Sequence, residues 1–122
     1  MSIPPEALQK LVQEIESRAI AAQQQISIVK TQISTKQRDI RLLQLTSSEL
    51  GSLSKDTNVY EGVGKMFLHT PIDAVNSRLA SEDETLKKDI NELENKLHYL
   101  ETTHEKSREH IEQIFKGTGA SA

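Results

Sequence analysis

The sequence contains no cysteine and no tryptophan, and its aromatic content is only 3%. The lack of cysteine excludes disulfide frameworks, thiolate metal sites and thiol nucleophiles. A hydrophobic content of 35% in 122 residues is also low for a chain that must bury a compact core by itself. Apolar burial is therefore expected along helix faces or against other chains.

Long apolar runs and an excess of basic charge are missing as well. No stretch approaches the roughly 18 apolar residues that a membrane span needs, and Met1 to Leu11 lack the apolar segment of a secretory signal. The net charge of -3 leaves no basic stripe for neutralising phosphates. We therefore expect a soluble, cytoplasmic protein that binds neither nucleic acid nor membranes.

Apolar residues recur in the first half of the chain at alternating spacings of four and three. The positions of this repeat are Leu8, Val12, Ile15, Ala19, Ala22, Ile26, Val29, Ile33, Lys36, Ile40, Leu43, Ser47 and Leu50. An average spacing of about 3.5 residues is typical of a coiled-coil seam. Lys36 interrupts this seam, where it either selects the register or extends its long stem so that the amine reaches solvent.

The second half carries a seam of similar length. Its positions are Leu79, Asp83, Leu86, Ile90, Leu93, Leu97, Leu100, His104, Ser107, Ile111 and Ile114. Two equal seams predict one mostly α domain over residues 1–122, a long antiparallel coiled-coil helical hairpin that brings Ile33 near Ile90. Flanking prolines and Gly117 place the helices at about 6–52 and about 71–116, and the tail 117–122 is expected to be disordered.

The segment between the helices predicts a β-hairpin at about 59–70. Its β-branched, aromatic and other apolar residues favour strands, whereas Gly62 and Gly64 interrupt a helix. A two-residue type II′ turn at Gly64 and Lys65 would use a positive φ at Gly64. This turn would align Val63 with Met66 and Gly62 with Phe67, whose ring could cover the glycine.

A two-stranded ribbon is marginally stable in water, and apolar side chains of this one would point to both faces. Because the chain offers no third strand, the covering strands are expected to come from other chains. The residues assigned to this assembly hairpin are Val59, Tyr60, Gly62, Val63, Gly64, Met66, Phe67 and Leu68.

The stretch Asn58 to Leu68, set between two long seams, resembles the single hairpin of beta-class subunits of the prefoldin family. Alpha-class subunits have two hairpins. The resemblance implies a hetero-hexamer of two alpha-class and four beta-class subunits, joined by an intersubunit β-barrel. It also implies a non-enzymatic co-chaperone without cofactor, which holds unfolded polypeptides such as actin and tubulin and transfers them to the cytosolic group II chaperonin.

The helix ends carry more apolar side chains than one seam can bury. This tip cluster comprises Leu8, Leu11, Val12, Ile15, Ile111, Ile114 and Phe115. The small or polar residues Ala19, Ala22, His104 and Ser107 lie just inward and predict weak packing there. One interpretation is that the tip cluster only completes the coiled coil. The other, which the resemblance favours, is that it binds unfolded clients.

Catalytic and metal sites are not expected. The four histidines lack the spacing of metal ligands, and Ser47 and Ser48 lack a neighbouring base. The main alternative function is a passive coiled-coil scaffold or tether. The hairpin distinguishes the two hypotheses, because a scaffold has no use for a ribbon that is apolar on both faces.

Overall fold

The computed structural model describes residues 4–117, which form two helices around one hairpin. The elements in chain order are α1 (Pro5–Gly51), β1 (Val59–Val63), β2 (Met66–Thr70) and α2 (Ile72–Gly117). This mostly α arrangement confirms the predicted fold class of two long helices and one β-hairpin. Of the tail predicted to be disordered, Gly117 is the last residue of α2, and residues 118–122 lie outside the described part.

Prolines mark the starts of both helices. Pro5 is the first residue of α1, and the Leu8 N–H donates to the Pro4 carbonyl at 2.9 Å. Pro71 immediately precedes α2, and its carbonyl accepts a 3.1 Å hydrogen bond from the Val75 N–H. Proline suits these places because the first N–H groups of a helix have no partner within the helix.

The predicted seam is the least exposed stripe of both helices. In α1 its centre is buried, with Val29 only 2% exposed, and every other seam position except Ser47 is half-buried. In α2 Leu79 is buried and the remaining seam positions are half-buried. Val75, four residues before Leu79, is also buried, so the seam of α2 extends one position further than the sequence predicted. The spacing thus identified the packed face of each helix.

The structure divides into two compact units. Residues 33–92 form one unit, which contains the hairpin, and the described residues before and after them form the other. Segments of α1 and α2 lie side by side in each unit. In residues 33–92, Lys36 Nζ lies 3.4 Å from Asp89 Oδ2. In the other unit, Ile15 of α1 and Ser107 of α2 line the same groove.

Lys36 is half-buried, and its amine contacts a carboxylate of the neighbouring helix. Both side chains remain partly exposed, so the amine leaves the seam at its edge and meets this carboxylate there. Asp89 precedes Ile90, the residue predicted to lie near Ile33, so this contact fits the predicted antiparallel register. An ion pair at a seam position favours the register in which the two charges meet.

The hairpin has the register that the sequence predicts. Val63 pairs with Met66, Glu61 with Leu68, and Gly62 with Phe67. Gly64 has φ of 62°, and no other residue among those described has a positive φ. A positive φ at the first turn residue alone indicates type II′, because type I′ requires it at both. A Cβ placed on Gly62 would lie 4.0 Å from Phe67 Cε1, so the ring does cover this glycine.

Gly64→Val is expected to weaken the hairpin, and any assembly that uses it, without loss of helix content. The side chain has open space but would be held at positive φ, which costs about 1–2 kcal/mol. Gly51→Val is the matched control, because Gly51 also has open space and its φ is not positive. Circular dichroism should show similar helix content for both variants. Size-exclusion chromatography with partner subunits should show reduced assembly for Gly64→Val, and normal assembly would contradict this account.

Candidate functional site

The hairpin presents two different faces, because successive side chains of a strand point to opposite sides. Val59, Glu61 and Val63 share one face with their partners on β2, and Tyr60 and Gly62 share the other with theirs. The exposed large apolar residues of the hairpin are Tyr60, Val63, Met66, Phe67 and Leu68. They occur on both faces, as the sequence predicted.

Phe67 and Met66 have the largest exposed fractions among the large hydrophobic residues described, at 78% and 72%. Adjacent exposed apolar side chains on two strands are characteristic of a surface that another chain covers. In residues 4–117, by contrast, the buried apolar side chains are Ile26, Val29, Ile33, Val75 and Leu79. The chain therefore has a thin core of its own and a large apolar surface at the hairpin.

One face of the hairpin makes an ion pair with the start of α2. Arg78 Nη1 contacts Glu61 Oε1, and Arg78 Nε lies 3.7 Å from Glu82 Oε1. The Glu61 carboxylate is more buried than the Arg78 guanidinium, which favours a persistent contact. Sequence reasoning missed Arg78. Its only signal was Glu61, a charged residue in a strand that is otherwise apolar or glycine.

The opposite face carries an aromatic contact. The rings of Tyr60 and His69 pack edge to face, with centroids 5.6 Å apart and an interplanar angle of 66°. Phe67 lies on the same face, paired with Gly62. This face therefore carries three ring side chains, and exposed aromatic residues contribute strongly to interfaces between chains.

The tip cluster lies at the described helix ends and is not fully buried at any position. Its members from Leu8 to Ile114 are half-buried, and Phe115 is 43% exposed. Leu11 and Ile15 of α1 line one groove with residues of α2. Each tip residue therefore keeps apolar surface that a further polypeptide could contact.

The residues just inside the tip cluster are small or polar, and weak packing remains the prediction for them. Ala19, Ala22, His104 and Ser107 are half-buried. His104 Nδ1 is buried and has no hydrogen-bond partner among the described residues. The Ser107 hydroxyl donates to the Thr103 carbonyl of its own helix at 3.0 Å, so it does not link the helices. Such a seam stabilises the helix pair less than leucine or isoleucine would.

The groove at the tip has an apolar part and a cationic part. Its volume is about 430 Å³, and its lining residues are Leu11, Ile15, Arg18, Thr103, Lys106, Ser107 and His110. Sequence reasoning found the two apolar residues and missed Arg18, Lys106 and His110. These flank the seam rather than lie on it, so the periodicity that reveals the seam does not mark them.

Residues 4–117 contain neither a cluster of metal-ligating side chains nor a helix that could span a membrane. No group of three or more His, Asp or Glu side chains is arranged to hold a metal ion there. No helix in this part of the chain is long and apolar enough to cross a membrane.

Comparison with known proteins identifies close similarity to one family. Residues 8–118 match the family described as "Prefoldin subunit". The chain is 33% identical to a probable prefoldin subunit 1 of Schizosaccharomyces pombe, over 88% of this chain and 96% of that one. It is 32% identical to prefoldin subunit 1 of Homo sapiens, over 88% of each chain. The crystal structure of the prefoldin beta subunit from Thermococcus strain KS-1 matches with a TM-score of 0.71 and 30% identity, over 96% of both chains.

Proposed function

Because the chain belongs to the prefoldin family, we propose that it is a beta-class subunit of a hexameric co-chaperone. The family is chaperone-related and non-catalytic, and its other subunits are the partners that membership implies. The proposed complex contains two alpha-class and four beta-class subunits, with this chain occupying a beta-class position. Its place of action is proposed to be the cytoplasm.

The observation that carries the proposal is the hairpin with exposed apolar residues on both faces. Tyr60 and Phe67 lie on one face, and Val63, Met66 and Leu68 on the other. Exposure of these apolar side chains to water is unfavourable on both faces. A β-barrel formed with hairpins of other subunits would cover them. A passive scaffold or tether, the alternative function, needs no such hairpin.

The proposed activity is to hold unfolded polypeptides at the tip cluster. Its half-buried side chains offer apolar surface of the kind that unfolded chains also expose. The weak packing predicted at His104 and Ser107 would allow the helix ends to separate and adapt to different clients. Actin and tubulin are the proposed clients, and the group II chaperonin is the proposed recipient.

Reconstitution tests the proposal. We expect the purified chain, mixed with alpha-class and other beta-class subunits, to form a hexamer in sedimentation analysis, and omission of the chain to reduce hexamer formation. The hexamer should suppress light scattering by a denatured client at stoichiometric concentration. A hexamer that did not suppress scattering by the client would favour the scaffold hypothesis. If no complex formed with the other subunits, the proposed function would be wrong.

A further inference from the structure

The groove at the tip combines apolar side chains with cations but no acid. Leu11 and Ile15 supply its apolar part, and Arg18, Lys106 and His110 supply its basic part. Thr103 and Ser107 complete the lining, and the Ser107 hydroxyl already donates its proton to the backbone carbonyl of Thr103. A segment that fills this groove therefore meets apolar surface and positive charge together.

The two cations are available to a ligand. Lys106 makes no ion pair within residues 4–117. Arg18 pairs with Glu14 at 3.1 Å, but both side chains are largely exposed. Exposed pairs of this kind contribute little to stability and exchange readily. A carboxylate of a bound segment could therefore contact Lys106 directly and compete with Glu14 for Arg18.

A second groove of the same chain has the opposite charge, so the cationic lining is not a general property of the helix surface. This groove lies in residues 33–92, and its lining residues are Asp39, Leu42, Leu43, Thr46, Leu79, Glu82, Thr85 and Leu86. Its charged residues are both acids. The carboxylates of a bound segment would therefore meet no cation in the lining of that groove, whereas they would meet Arg18 and Lys106 at the tip.

We propose that the groove at the tip selects client segments in which apolar residues are flanked by aspartate or glutamate. The inference rests on the proposed function, because it names which unfolded segments the tip cluster would hold. Apolar contact with Leu11 and Ile15 would supply affinity for any unfolded chain. Arg18, Lys106 and His110 would supply preference among such chains, and they would accelerate encounter with acidic ones.

The proposal is tested by measuring how tightly the full chain binds each of two labelled peptides of equal length at low ionic strength. Both contain the same apolar residues, flanked by Asp and Glu in one and by Lys and Arg in the other. We expect roughly tenfold tighter binding of the acidic peptide, measured by fluorescence anisotropy, from two exposed charge contacts. The difference should largely disappear at about 0.5 M salt, because screening shortens the reach of exposed charges.

Reversing the charges of the groove tests whether its cations cause the preference for the acidic peptide. Arg18→Glu combined with Lys106→Glu should reverse the order of the two peptides, with helix content checked by circular dichroism. Lys30→Glu with Lys96→Glu is the matched control, because both lysines are exposed, neither lines the groove, and the change in net charge is the same. The control should keep the preference for the acidic peptide. Loss of preference in the control as well would assign it to net charge and overturn the groove as its source.

The remaining outcomes separate this inference from the proposed function. Equal, measurable binding of both peptides by the unaltered chain would overturn the charge preference and leave apolar client holding intact. Binding of neither peptide would count against both. An acidic peptide without apolar residues should bind poorly, and if it bound as tightly as the amphipathic one, the groove would be a simple anion site.

Discussion

Phe67→Ala is expected to prevent the chain from entering the prefoldin complex while leaving the isolated chain nearly as stable as before. The Phe67 ring is 78% exposed in the chain alone, so its removal loses few internal contacts. If partner hairpins bury the ring, its removal costs about 3–5 kcal/mol in the complex. A loss of that size corresponds to more than about a hundredfold in affinity. Sedimentation of the variant with its partner subunits measures the loss.

Tyr99→Ala is the matched control for Phe67→Ala. Tyr99 is an aromatic residue that is 70% exposed, but it lies on α2 and not on the hairpin. If exposed aromatic surface mattered wherever it occurred, the two variants would behave alike. We expect the Tyr99 variant to assemble normally and the Phe67 variant to remain outside the proposed hexamer. If Phe67→Ala formed as much of the proposed hexamer as the unaltered chain, the hairpin would not be the surface through which the subunits assemble.

The packed faces of both helices were predictable because coiled-coil packing depends on a simple repeat. Residues spaced on average 3.5 positions apart all lie on the side of a helix that faces its neighbour. That spacing is visible in the sequence. The buried centre at Ile26, Val29 and Ile33 follows directly. Val75 escaped prediction because the repeat was followed only from Leu79, although Val75 continues it by one step of four.

The hairpin register was predictable from strand-favouring residues on both sides of a two-residue turn at Gly64 and Lys65. A two-residue turn fixes which residues of the two strands face each other, so the position of the turn determines every pair from Val63 and Met66 outward. The contact between Glu61 and Arg78 was not predictable in this way. It depends on how the hairpin lies against the start of α2, which no local pattern of the sequence determines.

Charged side chains beside the seam were the least predictable part of the candidate site. Lys36 has a long flexible stem, so its position on the seam did not reveal that its amine contacts Asp89. Arg18 and Lys106 come from different helices, and they line one groove only because the helices pair in one particular register. A shift of one turn would bring other side chains to this place. Apolar periodicity predicts which residues pack, and the tertiary structure is needed to see which charges meet.

Simultaneous replacement of Leu11, Ile114 and Phe115 by serine is expected to leave the hexamer assembled but to reduce its protection of an unfolded client several-fold. Leu11 and Ile114 are half-buried and Phe115 is 43% exposed, so the three together present much of the apolar surface of the tip. Contacts at each tip would be weak individually and would combine through high effective concentration when several tips bind one client. Other subunits of the proposed hexamer could compensate, so corresponding tip residues should be changed in all of them. Light scattering by a denatured client then measures the loss.

The control for the tip variant must remove equally exposed apolar surface from elsewhere on the chain. Ile28, Leu42 and Leu45 serve this purpose, because all three are large, apolar and exposed but lie outside the tip cluster. Their replacement by serine, like Lys88→Ser, should leave protection unchanged. If the control lost protection and the tip variant kept it, the helix sides nearer the hairpin would hold the client. If both kept it, apolar contact by this chain would be unnecessary, and binding would have to lie at the barrel or on other subunits.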